Sequence, residues 1–395
     1  MPWEETMDQR IRAVMNVINC GLSKVSVCEE FGISRPTLDK WLVRYESEGV
    51  EGLRDRSRAR HHQANMVDAE TVEKIVRFRR DHPDRGPRKI KVELERDFPE
   101  TTWPASSTIA EILDRHGLTV HRKRNRRTEP YTEPFAGCDT PNDVWCIDFK
   151  GWFLTGDGKR CNPLTLTDAN TRYLIRCDDV STTGFEDVKP VVESAFREYG
   201  LPRAIRSDNG APFASRAPRG LSKLSVWWIR LGITPERIEP GKPQQNGRHE
   251  RMHLTLHQGV ASPPKATLRA QQRALREFQR DYNFSRPHEA LGQRPPAELY
   301  VPSARPYPRH LPEVTYPAEF IVRRVEKKGI ISWHQSRIFI SEALSGEPVG
   351  LLPLDDQYYR VYFERLDLGV IDTCRGLYLR GKSAEKLPRK FKTED

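Results

Sequence analysis

Nowhere in the 395 residues is there a run of about 18 apolar side chains, the length needed to cross a bilayer. The first ten residues, MPWEETMDQR, lack the basic-then-apolar order of a secretion signal. Cysteine is sparse: Cys20, Cys28, Cys138, Cys146, Cys161, Cys177 and Cys374 are dispersed, odd in number and include no CxxC pair, so they read as reduced, mostly buried thiols. These absences point to a cytosolic protein with no membrane partner. Acid is also in deficit, 55 Asp and Glu against 65 Lys and Arg, for a formal charge of +10. Such a balance favours a polyanionic partner, nucleic acid ahead of an anionic membrane surface. The length favours two to four folded units, each able to bury its own core.

What is present begins with helices. Ile11, Val14, Met15, Val17 and Ile18 recur at helical spacing. After a polar break near Gly21, the chain reads as a short helix (25–31), a turn at Gly32 and a second helix (35–45), the order of a helix-turn-helix over residues 1–53. Ser34 is placed to cap the second helix, with Pro36 in its first turn. Leu38, Trp41 and Leu42 share its packing face, which leaves Arg35, Thr37, Lys40 and Arg44 outside to meet DNA. Residues 54–67 read as a basic linker, and 68–120 as a second helix-turn-helix unit in which Arg88 and Lys89 are candidate DNA contacts. Its last helix, from Ser107, is expected to be capped and closed by Gly117. A second basic linker, 121–139, carries Arg122, Lys123, Arg124, Arg126 and Arg127, candidates for phosphate contact.

From Val144 the pattern turns to strands. Trp145, Ile147 and Phe149 alternate with Cys146, Asp148 and Lys150, which sends Asp148 to the face opposite three large apolar groups. Strands over 163–167, 173–177 and 233–238, a short strand running into a turn over 203–210, and helices over 185–199, 221–231, 245–258 and 266–283 indicate an α/β core spanning 140–300. A Pro-rich linker (301–318), short β runs forming a small barrel or sandwich (319–380) and a polar tail (381–395) complete the chain.

Phosphoryl transfer on nucleic acid needs carboxylates converging from separate elements to hold two metal ions about 3.5 to 4 Å apart. Asp148 in a strand, Asp208 at a strand end and Glu250 on a helix are such donors. Only positions 209–249 lie between the last two, room for a helix, a strand and a loop. Glu250 also sits in HERMH, which matches HExxH, a pair of helical zinc ligands around a general base. That zinc-metalloprotease reading is remote, because Arg251 places a charge inside the motif and no typical third ligand follows. His249, His253 and His257 read instead as a solvated helix face near DNA, and Asp168 as a turn residue.

The segments NDVWCIDFKGWF, IRSDNGAPF and PGKPQQNGRHERMH, in that order, resemble those of bacterial insertion-sequence DDE transposases, whose core is similar to that of retroviral integrases with a ribonuclease H-like fold. YNFSRPHEALGQRPPAELY resembles the segment that follows such cores, and GPRKIKVEL with SSTIAEILDRHGL the group's second helix-turn-helix. The resemblance implies that Asp148, Asp208 and Glu250 are the catalytic metal ligands for two Mg²⁺ ions, with Mn²⁺ able to substitute. It implies that Asn209, Gly210, Gln245, Asn246 and Gly247 shape the adjoining loops. It further implies a transposase that binds its element's ends and target DNA as a dimer or higher oligomer, in the bacterial cytosol and on the nucleoid when bound. The chain departs from the group in a longer interval before Glu250, assigned to a loop at 215–221, and in Leu254 and His257, where related cores carry basic residues that Arg248 and Arg251 would replace. A non-catalytic helix-turn-helix regulator derived from a transposase is the alternative, and the intact acid triplet argues against it.

Overall fold

The computed structural model describes residues 2–55, 67–119, 137–215, 217–238, 247–333 and 336–379, without the side chains of 2–6 and 248. They form two compact units, Met1–Asp68 and Ala69–Asp395.

The first unit holds α1 (Pro2–Ile18), α2 (Lys24–Phe31) and α3 (Arg35–Glu48). Ser23 caps α2 by accepting from the Ser26 amide at 3.2 Å, and Gly32 ends it in the left-handed conformation at φ 62°. Ala13, Val27 and Leu38 are fully buried between the three helices, with Trp41 and Leu42 packed against them, as the spacing predicts. Ser34 holds the cap position of α3, but its hydroxyl bonds the Thr37 hydroxyl at 2.8 Å and leaves the helix amides alone.

The second unit starts with α4 (Ala69–Asp81), α5 (Pro87–Asp97) and α6 (Ser106–Arg115), packed through Ile75, Ile90, Leu94, Ile109 and Leu113. The expected serine cap of α6 is absent: the helix begins one residue early, so Ala105 occupies the cap position. Next come β1 (Val144–Phe149), a small hairpin of β2 (Phe153–Leu154) and β3 (Arg160–Cys161), then β4 (Pro163–Asp168), β5 (Leu174–Asp179), α7 (Phe185–Tyr199), β6 (Ala204–Ser207), α8 (Lys223–Arg230), β7 (Thr234–Arg237), α9 (Gly247–Leu256) and α10 (Leu268–Phe284).

Five of these strands form one sheet in the order β5-β4-β1-β6-β7, antiparallel through β1, with β6 and β7 parallel to it. On one face Trp145, Ile147, Leu164 and Leu166 pack against Val188, Val192 and Phe196 of α7 and Trp227 and Trp228 near α8. On the other face Leu174 and Cys177 meet Met252 and Leu256 of α9 and Leu275 and Phe278 of α10. Helices on both faces of a mixed sheet are the α/β layout that alternating strand and helix patterns predict.

Three buried charges tie the α4–α6 group to this core. Arg85, 1% exposed, reaches Glu93 at 2.8 Å and Asp281 of α10 at 2.6 Å, while Arg286 pairs with Asp84. Arg88 bonds Glu289 at 2.8 Å. The expected linker at 301–318 is a strap on the core: Leu201 donates to the Arg305 carbonyl at 2.7 Å, and Tyr307 packs on the main apolar cluster.

The last region is all-β: β8 (Ile321–Arg324), β9 (Ile330–Trp333), β10 (Ser336–Phe339), β11 (Pro348–Pro353), β12 (Tyr358–Phe363), β13 (Leu366–Asp372) and β14 (Leu377–Leu379). Five strands run antiparallel in the order β14-β13-β12-β11-β8, beside a β9–β10 hairpin. Leu221 and Val226 of the core share its apolar cluster, and Arg219 donates to the Asp367 carbonyl at 3.1 Å. The loop at 215–221 is therefore a prop between core and β region. All seven cysteines are free, but only Cys146, Cys161 and Cys177 are buried; Cys20 and Cys374 are exposed, which corrects the expectation of mostly buried thiols. The tail at 381–395 and most of both basic linkers lie outside the described residues.

Candidate active site

Two of the three acids come from neighbouring strands. The parallel β1–β6 ladder pairs Trp145 with Ile205 and Cys146 with Arg206. Asp148 lies two residues further along β1, and Asp208 directly follows Ser207, the last residue of β6. Asp208 accepts the Gly210 amide at 3.1 Å. A Cβ on Gly210 would lie 3.0 Å from the Asp208 carboxylate, so glycine lets the turn fold under that group. Asn209 braces the turn by donating to the Ile238 carbonyl at 2.9 Å.

The third acid rides on α9, and the histidines fix where that helix sits. Thr165 faces Asp148 across the β1–β4 ladder and donates to the Asp148 carbonyl at 3.0 Å. The same hydroxyl lies 2.7 Å from Nε2 of both His249 and His253, while His249 Nδ1 lies 3.0 Å from the Thr167 hydroxyl. His249 is 2% and His253 9% exposed. The expected solvated histidine face is thus wrong for these two, because α9 lays them on the threonines of β4; His257 alone is exposed. Burial holds the His249 pKa well below the usual imidazole value and, with Lys150 nearby, lowers that of His253 to about 4. Both rings are neutral near pH 7.

Glu250 is exposed at the edge of this contact, in the first turn of α9. Its i to i+3 spacing places it beside His253 on the helix. His253 Nδ1 in turn stands 4.0 Å from Asp148 Oδ2. Among the described residues, Asp148, His249 and His253 are the group of potential metal donors whose ligand atoms fall within 4.8 Å of one another. Asp208 and Glu250 fall outside that group. Both ring nitrogens of His249 lie within hydrogen-bond distance of threonine hydroxyls, an arrangement unlike the open ligand pair of an HExxH zinc site.

The remaining candidates fall in several places. Arg35 and Lys40 are exposed on α3, and Arg44 and Thr37 are half-buried there, Thr37 engaged by Ser34. Arg88 is committed to Glu289, and Lys89 is half-buried beside Arg286 and Arg85, where burial lowers its pKa to about 8. These two face the core's own charges. Arg251 is exposed, and Gly247 opens α9. Arg122, Lys123, Arg124, Arg126, Arg127, Gln245 and Asn246, like the Arg248 side chain, lie outside the described residues. Leu254 and His257 follow Glu250 along the exposed stripe of α9. Asp168, expected in a turn, is the last residue of β4: it is 1% exposed and accepts from the Asn142 and Thr171 amides at 2.8 and 2.7 Å.

Residues 139–243 and 231–296 each match an integrase core domain, residues 9–61 a helix-turn-helix domain, and 37–113 a homeodomain-like domain. The chain is 32% identical over 218 residues to an uncharacterized protein of insertion element IS407 from Burkholderia multivorans, covering 54% of this chain and 74% of that protein. It is 30% identical over 231 residues to an uncharacterized protein of insertion element IS476 from Xanthomonas euvesicatoria, covering 57% of this chain and 63% of that one. Over 297 residues it is 26% identical to an Escherichia coli transposase, InsD of insertion element IS2, covering 70% of this chain and 90% of that protein.

Proposed function

This chain belongs to the integrase-core family of bacterial insertion-element transposases, and we propose that it cuts and joins the ends of its own element to target DNA by phosphoryl transfer at Asp148, Asp208 and Glu250. The observation that supports this reading is the parallel pairing of β1 and β6, since Asp148 lies on the one and Asp208 follows the end of the other. Beside them α9, docked through its histidines, holds Glu250 at the rim.

A donor set of carboxylates suits hard divalent cations, Mg²⁺ first and Mn²⁺ as substitute. Asp148 and Asp208 would share the ions, and Glu250 would complete the second position. When bound, such a pair supplies the stabilisation of attacking and leaving oxygens that phosphoryl transfer requires. The protein's own part is positional. Asp208 is held over its turn by the Gly210 amide, and Thr165 and Thr167 keep α9 against the strand that carries Asp148.

DNA contact is assigned to Arg35, Lys40 and Arg44 of α3, with Arg251 near the acids and the 121–127 run as phosphate ligands. Arg88, exposed although paired with Glu289, stays in this set, and Lys89, half-buried beside Arg85 and Arg286, is the weaker candidate. One acid triplet per chain and two element ends favour a dimer or larger assembly on DNA, acting on the bacterial nucleoid.

Incubation of the protein with duplexes carrying the element's end sequence, a target plasmid and Mg²⁺ is expected to give joined product. Asp148→Asn should abolish it while DNA binding persists. Binding of the ends with no joining in either Mg²⁺ or Mn²⁺ would favour a regulator over an enzyme.

A further inference from the structure

The hydrogen bonds around Thr165 determine which nitrogen of each histidine carries a proton. A threonine hydroxyl has a single hydrogen, and here it is donated to the Asp148 carbonyl. Toward both imidazoles the oxygen can then only accept, so each Nε2, at 2.7 Å, must donate. In a neutral ring that leaves Nδ1 as the lone-pair nitrogen. For His249 this atom is satisfied by the Thr167 hydroxyl at 3.0 Å. For His253 it points toward Asp148 Oδ2, 4.0 Å away.

Asp148 and His253 belong to a group of residues whose donor atoms all lie within 4.8 Å of one another and could hold a cation between them. At 4.0 Å the separation of Nδ1 from Oδ2 is too long for a hydrogen bond. The far side of the ring also has the form of a ligating histidine, whose other N–H is anchored by a fixed acceptor, here Thr165. His249, with both nitrogens occupied, has no donor to offer.

We propose that His253 Nδ1 is a ligand to the metal ion held by Asp148, so that the site is built from carboxylates and one imidazole. The assignment rests on the acid-triplet reading above. An imidazole donor favours Mn²⁺ and later first-row ions over Mg²⁺. His249 and Thr165 are positioning residues, which orient the helix and the ligating ring.

The test uses full-length protein loaded with Mn²⁺ and pulsed electron paramagnetic resonance, which detects a coordinated ¹⁴N directly. Wild type is expected to show nitrogen coupling, and His253→Asn to bind Mn²⁺ about tenfold more weakly without that coupling. The ratio of Mn²⁺ to Mg²⁺ affinity should fall in the same variant. Bound Mn²⁺ with no nitrogen coupling in wild type would overturn the proposal and leave the acid triplet standing, and that spectrum needs no variant to fold. Coupling that survives in His253→Asn would also overturn it, since the nitrogen would then come from elsewhere. Failure of the acid reading has a separate signature: full strand joining by Asp148→Asn and Asp208→Asn.

Discussion

Thr165 is one residue doing the work of three contacts. It fixes the Asp148 carbonyl and receives both histidines of α9. Replacing it with valine keeps the shape but leaves two buried N–H donors without an acceptor, a loss of about 2 to 4 kcal/mol at the usual cost of unsatisfied buried groups. Urea unfolding measures this, and a change below about 0.5 kcal/mol would contradict the role. The histidines also set an acid response. Burial lowers His253 to about 4 and His288 to about 3, while the unfolded chain protonates both near 6.5. Between those values the unfolded state binds more protons, so stability falls as pH is lowered from about 6.5 toward 4. The stability difference between wild type and His288→Gln should accordingly shrink between pH 7 and pH 5, by urea midpoint; a difference that grows would contradict the sign. Little of this was legible in the sequence. The acids stood out because strand alternation and strand ends locate them, whereas the histidines looked solvated, because nothing local shows that Thr165 and Thr167, more than 80 residues earlier, would receive them.

At the scale of elements, period and punctuation were read well. The helix over 185–199 and the strand carrying Asp148 lie where apolar spacing puts them, and β6 ends at Ser207, just before Asp208. The two-residue strands of the β2–β3 hairpin were missed because so short a span has no periodicity to read. Arg85 was missed for a different reason. In the sequence it is one basic residue among many, and its burial is made tolerable by Asp84 and Glu93 together with Asp281, 196 residues away. Removing it would strand Glu93 and leave Asp84 and Asp281 short of a partner, so Arg85→Ala should cost about 3 to 5 kcal/mol by denaturant unfolding; a cost under about 1 kcal/mol would show that the α4–α6 group is held by apolar packing alone. On α3 the expectation concerns DNA. Loss of Arg35 and Lys40 together should weaken binding of element ends and reduce the slope of log affinity against log salt by about 2. An unchanged slope would move the phosphate contacts elsewhere.

Across the whole molecule the parts have unequal standing in the sequence. The helical, α/β and all-β regions follow from pattern, and the acid triplet from three short segments in order. The attachments do not: the strap over 301–318 and the prop at 215–221 depend on backbone carbonyls that happen to be in reach, such as that of Asp367 for Arg219. Both attachments join regions that read as independent in sequence. What the account asserts above all is that Asp208 and Glu250, from a strand end and a docked helix, act on one phosphoryl-transfer centre with Asp148. The most direct measurement is strand joining by Asp208→Asn and Glu250→Gln, at equal folded fraction and equal binding of element ends. Each variant is predicted to lose at least about a hundredfold in joining rate, the scale of removing one stabilising group from a transition state; joining at the wild-type rate by either one would contradict it.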